Sequence, residues 1–248
     1  MQLYNSYYWF KNVFSPDECE EIIELGLYDI KKTKEEGGNI SGTVHGGIHK
    51  GSNKKFKGAK GDKTTQELAQ DPNYNEDDLY VRDSKVGWLN EEWINEKIQR
   101  RVQEANEKTT WNWQWDSMET TQFTVYEKGG FYGWHSDGDS DWRAAYRKYI
   151  PGVTQKEKGL NYTTTHWQIG KVRKISVTIN LSPENTYKGG LLKFDWGPHA
   201  QTRFHECTEI KDQGSMIVFP SFQYHQVTPV TEGTRYSLVA WITGRPFQ

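Results

Sequence analysis

Short runs of alternating apolar residues, glycine-rich turns between them and only two stretches of helical periodicity predict a mainly β protein with flanking helices. The strands should form a sandwich or barrel rather than a parallel α/β sheet. The clearest run sets Ile175, Val177, Ile179 and Leu181 against Ser176, Thr178 and Asn180, which gives a strand one apolar and one polar face. Near the end of the chain Arg235, Ser237, Val239 and Trp241 face one way, while Tyr236, Leu238, Ala240 and Ile242 face the other. Gly129-Gly130 and Gly189-Gly190 punctuate these runs.

The first helix should start at Ser15-Pro16-Asp17-Glu18, with an N-cap serine, proline in the first turn and a glutamate three residues on. Cys19, Ile22 and Ile23 supply its apolar stripe. From Lys31 to Lys63 the chain is rich in Gly, Lys and polar residues without periodicity, and reads as an exposed, mobile loop. His45 and His49 are four apart, but Gly46-Gly47 between them argues against a metal-binding helix and for solvated loop histidines. A second helix, from near Asn90, carries Ile94, Ile98, Arg101, Val102 and Ala105 at helical spacing and should pack outside the sheet. Trp111, Trp113 and Trp115 alternate with polar residues as in a half-buried strand, and alternating aromatics more often pack a core than form a stacking platform.

The length of 248 residues fits a single domain, residues 1–110 forming a helical and loop support region and residues 111–248 a core with an insert at about 138–172. A net charge of −2 leaves no bulk electrostatic footprint for nucleic acid. No signal sequence and no apolar run of membrane-spanning length is visible, so a cytoplasmic location without membrane association is expected. Two cysteines, Cys19 and Cys207, suit a reducing compartment, and without a CxxC a zinc ribbon is excluded. Asn161-Tyr162-Thr163 matches a glycosylation acceptor but means little without export. Oligomeric state is not legible.

The chemistry concentrates in Tyr132-Gly133-Trp134-His135-Ser136-Asp137, answered downstream by His225. Side chains two apart on an extended chain point the same way, so His135 and Asp137 can share one ion. Two imidazoles and a carboxylate are the set that holds a non-haem Fe(II) by one face and leaves the other open. A His-x-Asp alone is a weak signal; Gly129-Gly130, Phe131-Tyr132 and the downstream His and Arg give it context. The acidic run Asp137, Asp139, Asp141 fails as a calcium loop, because Trp142 stands where glycine is needed and Lys148 where a bidentate glutamate is needed.

These residues resemble the 2-oxoglutarate and Fe(II)-dependent dioxygenases, and among them the prolyl hydroxylases of the PKHD-type, bacterial and viral kind. The resemblance spans about Trp111 to Trp241 and rests on three segments. They are Tyr126 to Asp137, Arg173 to Ser182 with Gly189-Gly190-Leu191-Leu192-Lys193-Phe194, and Phe219-Pro220 through His225 and Arg235 to Trp241. It implies a double-stranded β-helix (jelly roll, cupin-like) core, with His135, Asp137 and His225 as iron ligands and no further catalytic side chain. It also implies 2-oxoglutarate and dioxygen as cosubstrates, ascorbate as reductant, and hydroxylation of a proline in a peptide or protein coupled to release of succinate and carbon dioxide. The preferred target would be the 4-position, although the residues leave 3- and 4-hydroxylation open.

A diacid that chelates iron by its oxo-acid end leaves a second carboxylate pointing inward, for which Arg235 offers a rigid, bidentate, permanently charged partner. Ser237 shares its face; by resemblance Tyr126 and Tyr132 line the same pocket and Trp241 packs near the metal, and Asn180, on the polar face of its strand, is a further candidate. The insert after Asp137 is aromatic and basic, and long loops beside active sites are commonly lids, so Trp142, Arg143, Tyr146 and Tyr149 are candidates for substrate contact. A nucleic-acid demethylase of the same superfamily would carry a second arginine six residues after the first, where this chain has Trp241. A hydroxylase of free amino acids and a non-catalytic jelly-roll module that binds a peptide or glycan remain as alternatives.

Overall fold

Period-two alternation becomes two antiparallel sheets and a ribbon in the computed structural model, which describes residues 5–42, 44–45, 80–138, 168–197 and 200–247. The first half of the chain supplies β1 (Tyr8–Phe10), α1 (Pro16–Glu35), β2 (Val44–His45), β3 (Tyr80–Asp83), β4 (Lys85–Leu89), α2 (Glu92–Lys108), β5 (Ser117–Met118) and β6 (Thr121–Tyr126). Then come β7 (Phe131–His135), β8 (Val172–Asn180), β9 (Tyr187–Gly189), β10 (Leu192–Asp195), β11 (Phe204–Glu206), β12 (Met216–Pro220), β13 (Tyr224–Val227), β14 (Val230–Gly233) and β15 (Arg235–Gly244). The major sheet runs β1-β12-β8-β15-β6-β4 with β5 added to β15, the minor sheet runs β11-β10-β13-β7-β3-β2, and β14 pairs with β9. Successive strands cross between sheets, β6 to β7 and β12 to β13, which is the jelly-roll pattern.

Register sorts the side chains of the major sheet. Leu238 pairs with Ile179 and Phe123, and Ala240 with Val177, so these face one way. Arg235 pairs with Tyr126, and Ser237 with Thr124 and Asn180, so these alternate to the other side. The apolar face is covered by the two helices: Ile22, Ile94, Ile98 and Val102 join Phe123, Ile175, Ile179 and Leu238 in the main core. A smaller core of Leu192, Phe194, Ile217 and Phe219 joins residues of both sheets.

α1 begins as its sequence predicts. Glu18 N–H donates to Ser15 Oγ at 3.2 Å and Ser15 N–H to Glu18 Oε2 at 2.8 Å, a closed capping box followed by Pro16. The helix lies so close to the sheet that a Cβ on Gly26 would sit 2.2 Å from the Phe123 ring. It runs to Glu35, so the predicted loop starts later than Lys31, its basic last turn (Lys32, Lys34) suiting the negative helix end. His45 falls on the backbone of β2, and His49 lies outside the described residues.

α2 buries Ile94, Ile98, Val102 and Ala105 as expected, but Arg101 is exposed, bonded to Glu104 at 2.6 Å and set over the Phe10 ring. Trp111 and Trp113 are core residues stacked at 5.0 Å, yet they are not on a strand. Thr110 and Asn112 take left-handed φ of 59° and 51°, which breaks the extended chain. The Asn106 side chain holds the segment instead, donating to Trp113 O and accepting from Trp113 N–H. The first 110 residues also do more than support, since β1, β3 and β4 are hydrogen-bonded members of the two sheets. Both cysteines are free and buried, and among the described residues no helix is long and apolar enough to cross a membrane.

Candidate active site

β7 and β13 are neighbours in the minor sheet, and their register makes His135 and His225 direct partners. Asp137 follows β7 by two residues, in a turn whose backbone is pinned by Asp137 N–H and Gly138 N–H, both donating to Ser221 O. This closes the triad: Asp137 Oδ1 lies 3.5 Å from His135 Nε2 and Oδ2 lies 3.7 Å from His225 Nε2. One ligand atom from each residue falls within 4.8 Å of the others, near enough for one cation to touch all three. Each imidazole places Nδ1 against a backbone carbonyl, His135 at 2.8 Å from Gly133 O and His225 at 2.9 Å from Gln223 O. With Nδ1 as donor, both Nε2 lone pairs face the triad centre, the tautomer metal ligation requires.

The electrostatics suit a cation. Burial of Asp137 opposes its ionisation, but His225 and then His135 outweigh it and hold the carboxyl well below its usual range. Burial, then the neighbouring His135, push His225 down to about 4, so it is neutral and able to ligate at pH 7. Tyr132 stacks on His135 with ring centroids 3.5 Å apart, and Phe219 meets His225 edge-on at 4.7 Å. Burial and the nearby Asp137 raise Tyr132 to about 12, which keeps its hydroxyl a proton donor.

The triad opens into a pocket between the sheets whose wall includes Arg235, 1 % exposed, whose Nε and Nη1 have no hydrogen-bond partner among the described residues. A buried guanidinium left this way is costly unless an anion meets it. Its place is built deliberately. Gly190, at φ 59°, passes Arg235 so closely that a Cβ there would lie 2.8 Å from Arg235 Cδ. Donor set and orphaned arginine together fit a divalent cation and a dianion bound side by side.

Of the residues expected to hold a cosubstrate, Tyr126, Tyr132, Arg235, Ser237 and Trp241 all line this pocket with His135, Asp137 and His225. Trp241 Nε1, like Arg235, is buried without a partner. Asn180 does not belong with them. Its side-chain NH2 donates to Ser182 O and Lys211 O, each at 2.9 Å, so the last residue of β8 ties down the loop that follows. Trp142, Arg143, Tyr146 and Tyr149 lie outside the described residues.

Sequence reasoning missed a second set. Arg82 and Gln122 line the same pocket; Arg82 donates to Ser84 Oγ at 2.8 Å and Thr124 Oγ1 at 3.3 Å and lies over the Tyr132 ring. Arg173 makes a two-pronged pair with Glu119 at 2.7 and 2.6 Å, donates to Asp137 O at 3.3 Å and sits 4.0 Å above Trp241. A polar residue at alternate positions of a strand was the available signal, but which strand would meet β7 or β15 was not.

Known proteins agree with this geometry. The model of the 2OG-Fe(II) oxygenase superfamily matches residues 121–243, from the start of β6 almost to the end of β15, a span that holds His135, Asp137, His225 and Arg235. PKHD-type hydroxylases of Alteromonas mediterranea and Hyphomonas neptunium are 41% and 40% identical to the chain over 68 residues. Those alignments span 27% of this chain and 27% and 28% of the two relatives. Among solved structures, a viral collagen prolyl hydroxylase from Paramecium Bursaria Chlorella virus-1, in complex with 2OG, superposes with a TM-score of 0.53 at 16% identity, over 97% of both chains. A Pseudomonas putida prolyl-4-hydroxylase gives 0.52 at 13% identity, over 99% of this chain and 95% of that one. Fold, ligand set and family match converge, and the chain belongs to the 2OG-Fe(II) oxygenase superfamily.

Proposed function

We propose that this chain is a 2-oxoglutarate- and Fe(II)-dependent dioxygenase that hydroxylates a prolyl residue in a peptide or protein. The observation that carries the cosubstrate assignment is Arg235, buried with two unpaired donors in the pocket that the His135, Asp137 and His225 triad faces. The prolyl target rests on likeness to the PKHD-type and prolyl hydroxylases and is the finer part of the proposal.

Bound iron and 2-oxoglutarate would supply the hydroxylation of an unactivated C–H bond, coupled to decarboxylation to succinate and carbon dioxide, with ascorbate as reductant. The side chains bind and orient. His135 and His225 offer Nε2, Asp137 offers carboxylate oxygens, and Arg235 takes the distal carboxylate in a two-pronged hydrogen bond. Tyr126, Tyr132 and Ser237 can donate further hydroxyl bonds to the same ligand. Leu192, Phe219, Val227 and Val239 wall the pocket with apolar surface, limiting water around the reacting centre. No side-chain acid or nucleophile is required.

The test is succinate formation from 2-oxoglutarate with Fe(II) and ascorbate, with and without a panel of proline-containing peptides. Peptide-stimulated turnover that adds one oxygen to proline and disappears in His135→Ala is the expected result. Turnover indifferent to every peptide would move the target to free amino acids, and absence of turnover would leave a binding module.

A further inference from the structure

The turn that joins β12 to β13 touches two of the three ligands. Pairing between β7 and β13 ends at His135 and His225, so the ladder fixes the two imidazoles and leaves Asp137, two residues beyond β7, to be placed by other contacts. Arg173 meets the Asp137 carbonyl at 3.3 Å. The amide side belongs to Ser221, whose carbonyl accepts from Asp137 N–H at 2.9 Å and from Gly138 N–H at 3.0 Å. Two residues later the Gln223 carbonyl lies 2.9 Å from His225 Nδ1. Residues Pro220 to Gln223 form one β-turn, closed by Gln223 N–H donating to Pro220 O at 2.9 Å. A single turn therefore holds the backbone of the carboxylate ligand and the ring of an imidazole ligand.

This turn is fastened to both sheets. Toward the major sheet, Ser221 N–H donates to Lys174 O at 3.0 Å and Ser221 Oγ accepts from Ser176 Oγ at 2.9 Å, so the N–H, hydroxyl and carbonyl of Ser221 are all engaged. Toward the minor sheet, Gln223 Nε2 donates to Asp195 O, at the end of β10, at 2.7 Å. Ser176 and Ser221 are fully buried, and a buried hydroxyl is costly unless it is bonded. Ser176 has Ser221 as its hydroxyl partner among the described residues. The pairing of β8 with β12 ends at Ile175 and Pro220, and proline has no N–H to give a ladder. The hydroxyl bond thus ties the turn to β8 at the point where strand pairing runs out.

We propose that Ser176, Ser221 and Gln223 are positioning residues, which act through this turn to set Asp137 and His225 at the spacing a shared cation needs. This rests on the reading of the triad as a metal site, and the test separates the two. Co(II) would be titrated into the full metal-free chain without 2-oxoglutarate, with affinity and visible spectrum read together. Ser176→Ala and Ser221→Ala should each weaken binding by about tenfold, the low end of what outer contacts of metal ligands contribute, and alter the bands of the saturated protein. The double variant should lose no more than either alone, because both changes remove the same bond. Gln223→Met, at a partly exposed position, keeps the test open should a serine variant not fold, and should weaken binding by a similar factor. Thr121→Val removes a buried hydroxyl bond that reaches Asn95 of α2 and no ligand, and should leave affinity and spectrum as in wild type. An equal loss in Thr121→Val would mean general destabilisation and overturn the assignment, and so would serine losses that multiply in the double variant. Binding abolished by His135→Ala but untouched by the serine and Gln223 variants would overturn the clamp alone. Binding indifferent to His135→Ala would overturn the metal reading and the clamp with it.

Discussion

Replacing Arg235 by methionine should raise the stability of the ligand-free protein while removing most of its response to 2-oxoglutarate. Arg235 is 1 % exposed, its Nε and Nη1 are unpaired, and its nearest aromatic contact is Tyr126, 5.7 Å from the guanidinium. Exchanging a buried ionic group for an apolar one of similar volume is neutral or stabilising by about 1–4 kcal/mol. Truncating one partner of a buried, hydrogen-bonded charge pair costs about 2–5 kcal/mol in binding. At about 1.4 kcal/mol per tenfold, that weakens 2-oxoglutarate binding by roughly thirtyfold to several thousandfold. Thermal unfolding reads both effects. A ligand at a hundred times its Kd stabilises by about 2.7 kcal/mol. For a chain of this size about 1 kcal/mol moves the Tm by ~2–4 °C. Wild-type protein with Mn(II) in place of iron should therefore gain about 5–11 °C from 2-oxoglutarate at a hundred times its Kd, and Arg235→Met at the same concentration no more than about 2–4 °C, falling to nothing at the larger losses of affinity. An undiminished shift in the variant would refute the assignment of Arg235, and a variant less stable than wild type without ligand would refute the claim that its charge is uncompensated.

Arg173→Met removes the paired contact with Glu119 and the bond to Asp137 O, so metal affinity should drop by about 10–100-fold in a Co(II) or Mn(II) titration while the fold survives. Unchanged affinity would reduce Arg173 to packing on Trp241. Gly26→Ala drives a methyl group into the Phe123 ring, 2.2 Å away, and should cost about 1–3 kcal/mol in urea unfolding. For pH, the folded state holds His225 at about 4, below the ordinary 6.5, so between those values the unfolded chain takes up a proton that the folded chain refuses. Stability of the metal-free protein should accordingly be whole above pH 6.5 and decline as pH falls toward 4. His225→Asn should flatten that slope in urea midpoints measured across the window.

What the sequence disclosed and what it hid follow from how far each interaction reaches along the chain. His135 and Asp137 were legible because two-residue spacing alone puts them together, and Arg235 because its strand alternates strictly enough to name a face. Asn180 misled for the same reason: it has the parity of the pocket face, but it ends β8, where the chain turns and its amide is used to bind Ser182 O and Lys211 O. Parity is a property of a strand's interior, and it fails where the strand stops. Trp111 and Trp113 failed differently, since burial was predicted correctly while two left-handed residues, neither of them glycine, broke the strand. Nothing local announces such a backbone.

Arg82, Gln122 and the Arg173–Glu119 pair were out of reach because their positions depend on register between strands far apart in sequence. β3 must pair with β7 before Arg82 stands beside Tyr132, and β6 with β15 before Gln122 pairs with Val239. The same dependence explains why the inner face of the major sheet can be so polar. Thr124, Ser176, Asn180, Arg235 and Ser237 are all buried on strands whose other face is the main core. An unsatisfied polar face would weaken a sheet built only for stability. Here the helices and the apolar face hold the sheet, which leaves the opposite face free to keep orphaned donors aimed at a ligand.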